Sequence, residues 1–251
     1  MYIASPLDQF EIIRLIPLTI GGIDFSLTQS GFFISILLLF GFYRIWKNFQ
    51  SGLRLVPTNE QYCVEQLYQF VLNLLSQQVD AKGLRLFFPL VLTLFTLLIF
   101  SNLGGMIPYS FTVTSHFSVT LGLAFSLFIG LTIFGFVFHG LHFFALLLPK
   151  GAPLVLAPFL VVLELISYTF RPLSLGIRLG ANMMAGHTLV KIIAGFSWEM
   201  LYSSGIICQL SVLPFVAVII LTGMEIAIAI IQAYVFSMLI SLYLKDALEL
   251  H

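Results

Sequence analysis

Charge is what this sequence lacks most. Only 9% of its 251 residues are Asp, Glu, Lys or Arg, against 59% hydrophobic, whereas soluble domains carry about a quarter charged residues. A water-soluble globular fold is therefore excluded. The 11 Lys and Arg balance 11 Asp and Glu, leaving a formal net charge of zero and no electrostatic footprint for nucleic acid. With only 2 cysteines, Cys63 and Cys208, a disulfide framework is excluded, and the paired spacing of a zinc site is missing. Both read as buried small hydrophobes. There is no phosphate-cradling loop, no Ser/His/Asp set and no metal-ligand cluster, so no nucleotide site, cofactor or metal is expected. His139 and His142 have no matching pair on another segment and read as packing histidines. What remains is an all-α polytopic membrane protein.

The gaps between charges mark the spans. From Leu86 to Pro149 no Asp, Glu, Lys or Arg occurs, a length that holds two spans of about 20 residues each. The breakers Ser101, Asn102, Gly104, Gly105 and Pro108 mark the turn between them. Another charge-free run, Phe25 to Tyr43, supplies a first span. No basic segment sits directly before it and no small-residue cleavage site follows, so it reads as retained rather than as a signal peptide. Leu154 to Ala194 and Cys208 to Leu244 are longer than a bilayer is thick. At about 1.5 Å per residue they extend roughly 60 Å and 55 Å, against a hydrocarbon core of about 30 Å. Either each overlong segment is one strongly tilted helix, or the first is two short spans broken near Pro172. Joined by a polar turn, Ser197 to Gly205, they read as a tilted helical hairpin.

Basic residues set the orientation. Arg44, Lys47, Arg54, Lys82, Arg85, Lys150 and Lys245 all fall on one side if there are five spans, while the loops at Ser101–Phe117 and Phe196–Ile207 have neither Lys nor Arg. Between the first two spans, Thr58 and Gln61 form a T-x-x-Q capping signature. Val64, Leu67, Tyr68, Val71, Leu74, Leu75 and Val79 follow at helical spacing, which predicts an amphipathic helix on the basic side. Its apolar face suits lipid and a partner subunit equally. The layout is thus one membrane domain, 1–251. It comprises an N-terminal segment 1–26, a span 27–46, the surface helix 58–82, spans 86–108 and 117–148, and long tilted helices 154–195 and 208–245.

A few ionisable residues sit inside the overlong segments: Glu164, Arg171, Arg178, His187, Lys191 and Glu225. Each costs about 2.5–3.5 kcal/mol at a membrane centre unless it pairs or lines water, and such residues mark ion or proton paths. Glu164, Arg171 and Arg178 are seven apart and form one stripe, which Asn182 continues. His187 lies about 180° round the helix from Arg178 and must face another neighbour. In the last segment Glu225, Gln232 and Asp246 also fall on one stripe. Two such polar faces suit a hydrated proton path, with a histidine and carboxylates as relay groups. Gly176, Gly180, Ala181, Ala185 and Gly186 permit close backbone approach. A self-contained cation/proton secondary transporter is the competing class. It would show inverted repeats or broken helices in both halves, and no internal repeat is visible.

The stretch RPLSLGIRLGANMMAGH (Arg171 to His187), followed by EIAIAIIQAYVF (Glu225 to Phe236), resembles the membrane-embedded a subunit of F-type ATP synthases. SPLDQFEI (Ser5 to Ile12), GMIPYSFTVTSHF (Gly105 to Phe117) and YLKDALELH (Tyr243 to His251) are similar to mitochondrial versions and extend the likeness over nearly the whole chain. His187 and Glu225 follow the mitochondrial arrangement, where bacterial members tend to have an acid and a histidine respectively.

The resemblance implies a proton-conducting stator subunit without nucleotide binding of its own. Arg178 then matches the essential arginine facing a ring of c subunits. His187, Glu225, Asn182 and Gln232 match the half-channel open to the intermembrane space, and Glu164 and Asp246 match the half-channel open to the matrix. The implied partners are that c-ring, peripheral-stalk and other membrane subunits, lipid and protons. The implied location is the mitochondrial inner membrane, with the N-terminus in the intermembrane space and the C-terminus toward the matrix.

Overall fold

The structure, a computed structural model, describes residues 8–20, 23–24, 26–50, 57–107, 110–140, 143, 157–203 and 205–248. Arg54, Lys150, His142 and the two ends of the chain lie outside the described residues. Seven α-helices dominate: α1 (Gln29–Gln50), α2 (Asn59–Ser76), α3 (Ala81–Gly105), α4 (Phe117–His139), α5 (Ala157–Tyr202), α6 (Ile206–Leu210) and α7 (Val212–Leu248). Four helical stretches are long and apolar enough to cross a membrane: Gly83–Gly105, Phe117–His139, Pro158–Tyr202 and Cys208–Leu248. The fifth counted from the sequence corresponds to α1, whose apolar stretch is Gln29–Tyr43. The N-terminal segment adds two small antiparallel ladders, β1 (Arg14–Ile16) with β4 (Leu27–Thr28) and β2 (Thr19–Ile20) with β3 (Ile23–Asp24).

Helix α5 runs unbroken for 46 residues with Pro172 inside it, about 69 Å of helix. The alternative of two short spans broken at Pro172 is thereby excluded. A proline removes one ladder hydrogen bond, and the remaining bonds of so long a helix carry the chain through. Ser197–Tyr202, expected as turn, are helical, and the reversal narrows to the residues around Gly205. There φ is +83°, a conformation that only glycine adopts without strain. Likewise Ser101–Gly105 are the last turn of α3 rather than a break. In an apolar environment each backbone group must be satisfied within its own segment, and this overrides weak breakers.

The chain forms two compact units, each built from three stretches. The first takes Met1–Phe42, Leu98–His116 and Leu179–Ala233. Its buried side chains include Leu98, Phe111, Val113, Leu179 and Met183, with Ala229 and Ala233 on α7. Asn102, fully buried, donates to the Ala229 carbonyl at 3.1 Å. Gly104 lies so near Leu37 that a Cβ would meet it at 2.7 Å.

The second unit takes Tyr43–Leu97, Phe117–Arg178 and Tyr234–His251. Phe87 and Phe134 meet edge to face at 4.6 Å, and Leu175, Phe236, Ile240 and Leu244 are buried. Gly176 brings α5 against α4, where a Cβ would lie 3.0 Å from Leu121 Cα. Helix α2 belongs here. Thr58 caps it by accepting from Gln61 N, while the Gln61 carboxamide donates onward to Glu65 Oε1 at 2.6 Å. Val71, Leu74, Leu75 and Val79 are buried, but Val64 and Tyr68 of the expected apolar face are exposed. Cys63, expected buried, is exposed on this helix, and Cys208 is half-buried. An amphipathic helix covers only one stripe, and Cys63 lies off it.

Candidate functional site

In the first unit α5 and α7 run antiparallel and meet through polar side chains. Asn182 Nδ2 donates to Gln232 Oε1 at 3.1 Å. One step further along the pair, His187 Nδ1 lies 3.2 Å from Glu225 Oε1. Glu225 is buried and His187 is largely so. The seat of the carboxylate depends on Gly186, because a Cβ there would sit 2.7 Å from Glu225 Oε1. The other ring nitrogen, His187 Nε2, lies 2.9 Å from the Thr112 hydroxyl. Thr112 is delivered by the chain leaving α3, where Ser110 donates to Gly104 O at 2.7 Å and Thr112 to Gly105 O at 3.2 Å. These hydroxyls satisfy carbonyls that the end of a helix leaves open.

Around this cluster is a cavity of about 290 Å³, lined by Gln9, Ser110, Thr112, His187, Lys191, Thr222 and Glu225 among others. At about 30 Å³ per molecule it has room for on the order of ten waters. The histidine–carboxylate pair thus stands at the edge of a space that water can fill. The imidazole and the buried acid are close enough to exchange a proton after a small rotation, since Glu225 Oε1 accepts no hydrogen bond among the described residues.

The second unit holds a different arrangement. The Arg171 guanidinium reaches Glu164 Oε1 and Asp246 Oδ2, each at 3.1 Å. The rings of Tyr168 and Tyr243 lie on it at 5.7 Å, within cation–π range. Tyr168 OH is held in turn by Thr132 at 2.9 Å. The void beside this group is about 10 Å³, at the lower limit for a single water. This is a clamped ion triad, where the first unit has a pair beside a roomy cavity.

Arg178 belongs to neither cluster. Its side chain is exposed, and among the described residues it makes no hydrogen bond or ion pair. A guanidinium stays charged at any working pH, so α5 presents a permanent cation on its surface.

The family model for the ATP synthase A chain matches residues 30–245, which include Arg178 and every residue of the two clusters except Asp246, one position beyond. The chain belongs to that family. It is 57% identical over 254 residues to ATP synthase subunit a of Marchantia polymorpha, covering 98% of this chain and 99% of that one. ATP synthase subunit a-2 of Arabidopsis thaliana is 56% identical over 258 residues, covering 100% and 73%. ATP synthase subunit a of Chondrus crispus is 45% identical over 249 residues, covering 99% and 98%. Subunit a is the proton-translocating subunit of the membrane sector of the F-type ATP synthase, a multi-pass membrane protein that works among other subunits, and this chain has that function.

In this chain, the structure joins the residues singled out in the sequence in three groups. His187 meets Glu225, Asn182 meets Gln232, and Glu164 and Asp246 meet through Arg171. The α7 stripe of Glu225, Gln232 and Asp246 faces α5 at every one of its members. Two contributors were missed. Thr112 sits in a connection with no periodicity, and its only signal was membership of the GMIPYSFTVTSHF segment. Arg171 was visible as a stripe member, but its bond to Asp246 depends on the fold.

Proposed function

We propose that the subunit works through two separate aqueous half-channels that load and unload protons on carboxylates of a c-ring. The observation that carries this reading is Arg178, an exposed guanidinium on a spanning helix with no anion of its own chain among the described residues. A cation in that position costs about 2.5–3.5 kcal/mol unless a partner compensates it. An acidic side chain on a neighbouring subunit meets that need, and no soluble ligand has access to a lipid-facing surface.

The steps follow from the groups available. A proton enters through the hydrated cavity, passes the His187–Glu225 pair with Asn182 and Gln232 nearby, and neutralises a ring carboxylate. Once neutral, that carboxylate crosses the lipid face at little electrostatic cost. On the other side it releases its proton past Glu164 and Asp246, which Arg171 holds in place. Arg178 attracts the resulting anion, keeps it ionised and repels any proton crossing directly. A full transmembrane transfer supplies about 2.3 kcal/mol per 100 mV. The likeness to mitochondrial versions of the subunit supports the mitochondrial inner membrane, and the basic loops support an N-terminus in the intermembrane space and a C-terminus toward the matrix.

Arg178→Ala in the assembled synthase tests the central claim. Proton-driven ATP synthesis should be lost while the complex still assembles, and normal synthesis would refute it. Single cysteines at His187, Glu225, Glu164 and Asp246, in a background without Cys63 and Cys208, test sidedness. Membrane-impermeant thiol reagents should reach the first two from the intermembrane face only and the last two from the matrix face only. Reaction of all four from one side would replace two half-channels by one continuous pore.

A further inference from the structure

Both ring nitrogens of His187 have a polar neighbour, but only Nε2 is hydrogen-bonded, and Glu225 Oε1 accepts no hydrogen bond among the described residues. Nδ1 faces the Glu225 carboxyl at 3.2 Å. Nε2 faces the hydroxyl of Thr112 at 2.9 Å. A neutral imidazole carries one proton, so one nitrogen donates and the other accepts. Which does which is set by what each nitrogen meets, and here the decision falls to a hydroxyl with a single proton of its own.

Helix α3 ends at Gly105, leaving its last carbonyls without helical donors. Ser110 Oγ is 2.7 Å from Gly104 O and 3.0 Å from Gly105 O. Its one proton belongs to the nearer. Gly105 O then takes its donor from Thr112, at 3.2 Å. Thr112 is buried apart from an edge on the cavity, and the Gly105 carbonyl and His187 Nε2 are its hydrogen-bond partners within the chain. With its proton committed to Gly105, the Thr112 oxygen can only accept, and what it accepts is Nε2–H of His187. The lone pair of the ring is thereby placed on Nδ1, the nitrogen 3.2 Å from Glu225 Oε1, and a small rotation of the carboxyl brings the two into line. Gly105 is part of the device, since a Cβ there would lie 2.7 Å from Thr112 Oγ1.

We propose that Thr112 is a positioning residue that fixes the Nε2–H tautomer of His187 and so keeps Nδ1 open as the proton acceptor of the relay. This rests on the proton-path reading above. The exchange balances on two atoms. Glu225, as the acid, passes its proton to Nδ1, giving a carboxylate and an imidazolium that retains Nε2–H toward Thr112. The return step takes the same proton off Nδ1. In the opposite tautomer Nδ1 already bears hydrogen, the ring can only donate to Glu225, and the protonated acid has no acceptor beside it.

The test uses whole synthase in membranes with ¹⁵N-labelled histidine. Subtracting the solid-state spectrum of His187→Gln isolates the two nitrogens of this residue. The wild type should show neutral His187 with Nε2 protonated and Nδ1 bare, and a wild type with Nδ1 protonated would overturn the proposal without any further variant. In Thr112→Val, which keeps the shape and loses the hydroxyl, the Nδ1–H form should appear. Proton-driven ATP synthesis should fall about fivefold, the scale of one lost hydrogen bond. Thr112→Ser should restore both. An unchanged tautomer in Thr112→Val, or failure of Thr112→Ser to rescue, would overturn the role of Thr112 while leaving the relay intact. If His187→Gln itself synthesised ATP normally, the proton-path reading would fall instead.

Discussion

The Arg171 triad offers a quantitative test of the second unit. Arg171 touches Glu164 and Asp246 at 3.1 Å each, with the three side chains 25%, 35% and 32% exposed. At that separation the Coulomb attraction per pair is about 1 kcal/mol in bulk water and about 5 kcal/mol at an effective dielectric constant of 20. All three groups are a quarter to a third exposed, so the lower part of that range applies, reduced further by side-chain ordering. Two pairs sharing one cation, flanked by two tyrosine rings, then contribute about 1.5–2.5 kcal/mol in total. Arg171→Met keeps much of the packing and leaves two carboxylates facing each other. The end of α7 is tied to α5 by this contact, so its local opening should become easier by that amount. Amide exchange over 240–248 in the assembled, membrane-embedded complex should speed up about 10- to 70-fold. Asp246→Asn in the Arg171→Met background should restore part of the protection, because it removes one of the stranded charges. The two substitutions are then non-additive by about 1 kcal/mol. Acceleration below about twofold, or strictly additive effects, would show that the triad is an ordinary surface ion pair.

Two further outcomes follow from single contacts. Gly186→Ala places a Cβ 2.7 Å from Glu225 Oε1, so the carboxyl must leave its seat beside His187. ATP synthesis in vesicles under an imposed proton gradient should fall about tenfold or more, with assembly preserved, and an unchanged rate would show that this seat does not matter. His116, outside the spans, packs its ring on Phe111 at 5.0 Å and against the edge of Phe10 at 6.4 Å, and burial lowers its pKa below the usual 6.5. The unfolded segment therefore binds the proton more readily than the folded one. The contribution of this packing is complete above about pH 6.5 and is lost as pH falls through the lowered value. Amide exchange in 8–16, corrected for intrinsic rate, should rise on acidification, and His116→Phe should abolish that rise.

The features legible in the sequence were those that repeat along a helix. Missing charges marked the spans, the lengths of α5 and α7 marked the hairpin, and sevenfold spacing marked the faces that meet. Boundaries were less legible. Ser101–Gly105 carry residues that break helices in water, yet they remain helical where the backbone must satisfy itself, and Ser197–Tyr202, read as part of a polar turn, extend α5 instead. The N-terminal ladders of two or three residues each are too short to show alternation. Thr112 and the Arg171–Asp246 bond were beyond periodic reasoning altogether. The first lies in a connecting segment, and the second joins residues far apart in the chain through the fold alone.

Helices α5 and α7 keep little of their apolar surface to themselves. In their most apolar windows only 17% and 11% of residues are buried within the chain. Phe170, Ile177, Ile192, Phe215, Ile219, Ile220 and Ile231 are all exposed. Such surfaces restrict how the molecule can be made. A completed copy released into an aqueous compartment would aggregate through these faces, each large side chain left wet forgoing about 1.5–3 kcal/mol of burial. Synthesis must therefore proceed with the emerging segments passing directly into lipid, or under continuous chaperone cover. Copies made in excess of their neighbouring subunits are left with unoccupied faces, which makes them the natural substrates of membrane quality control.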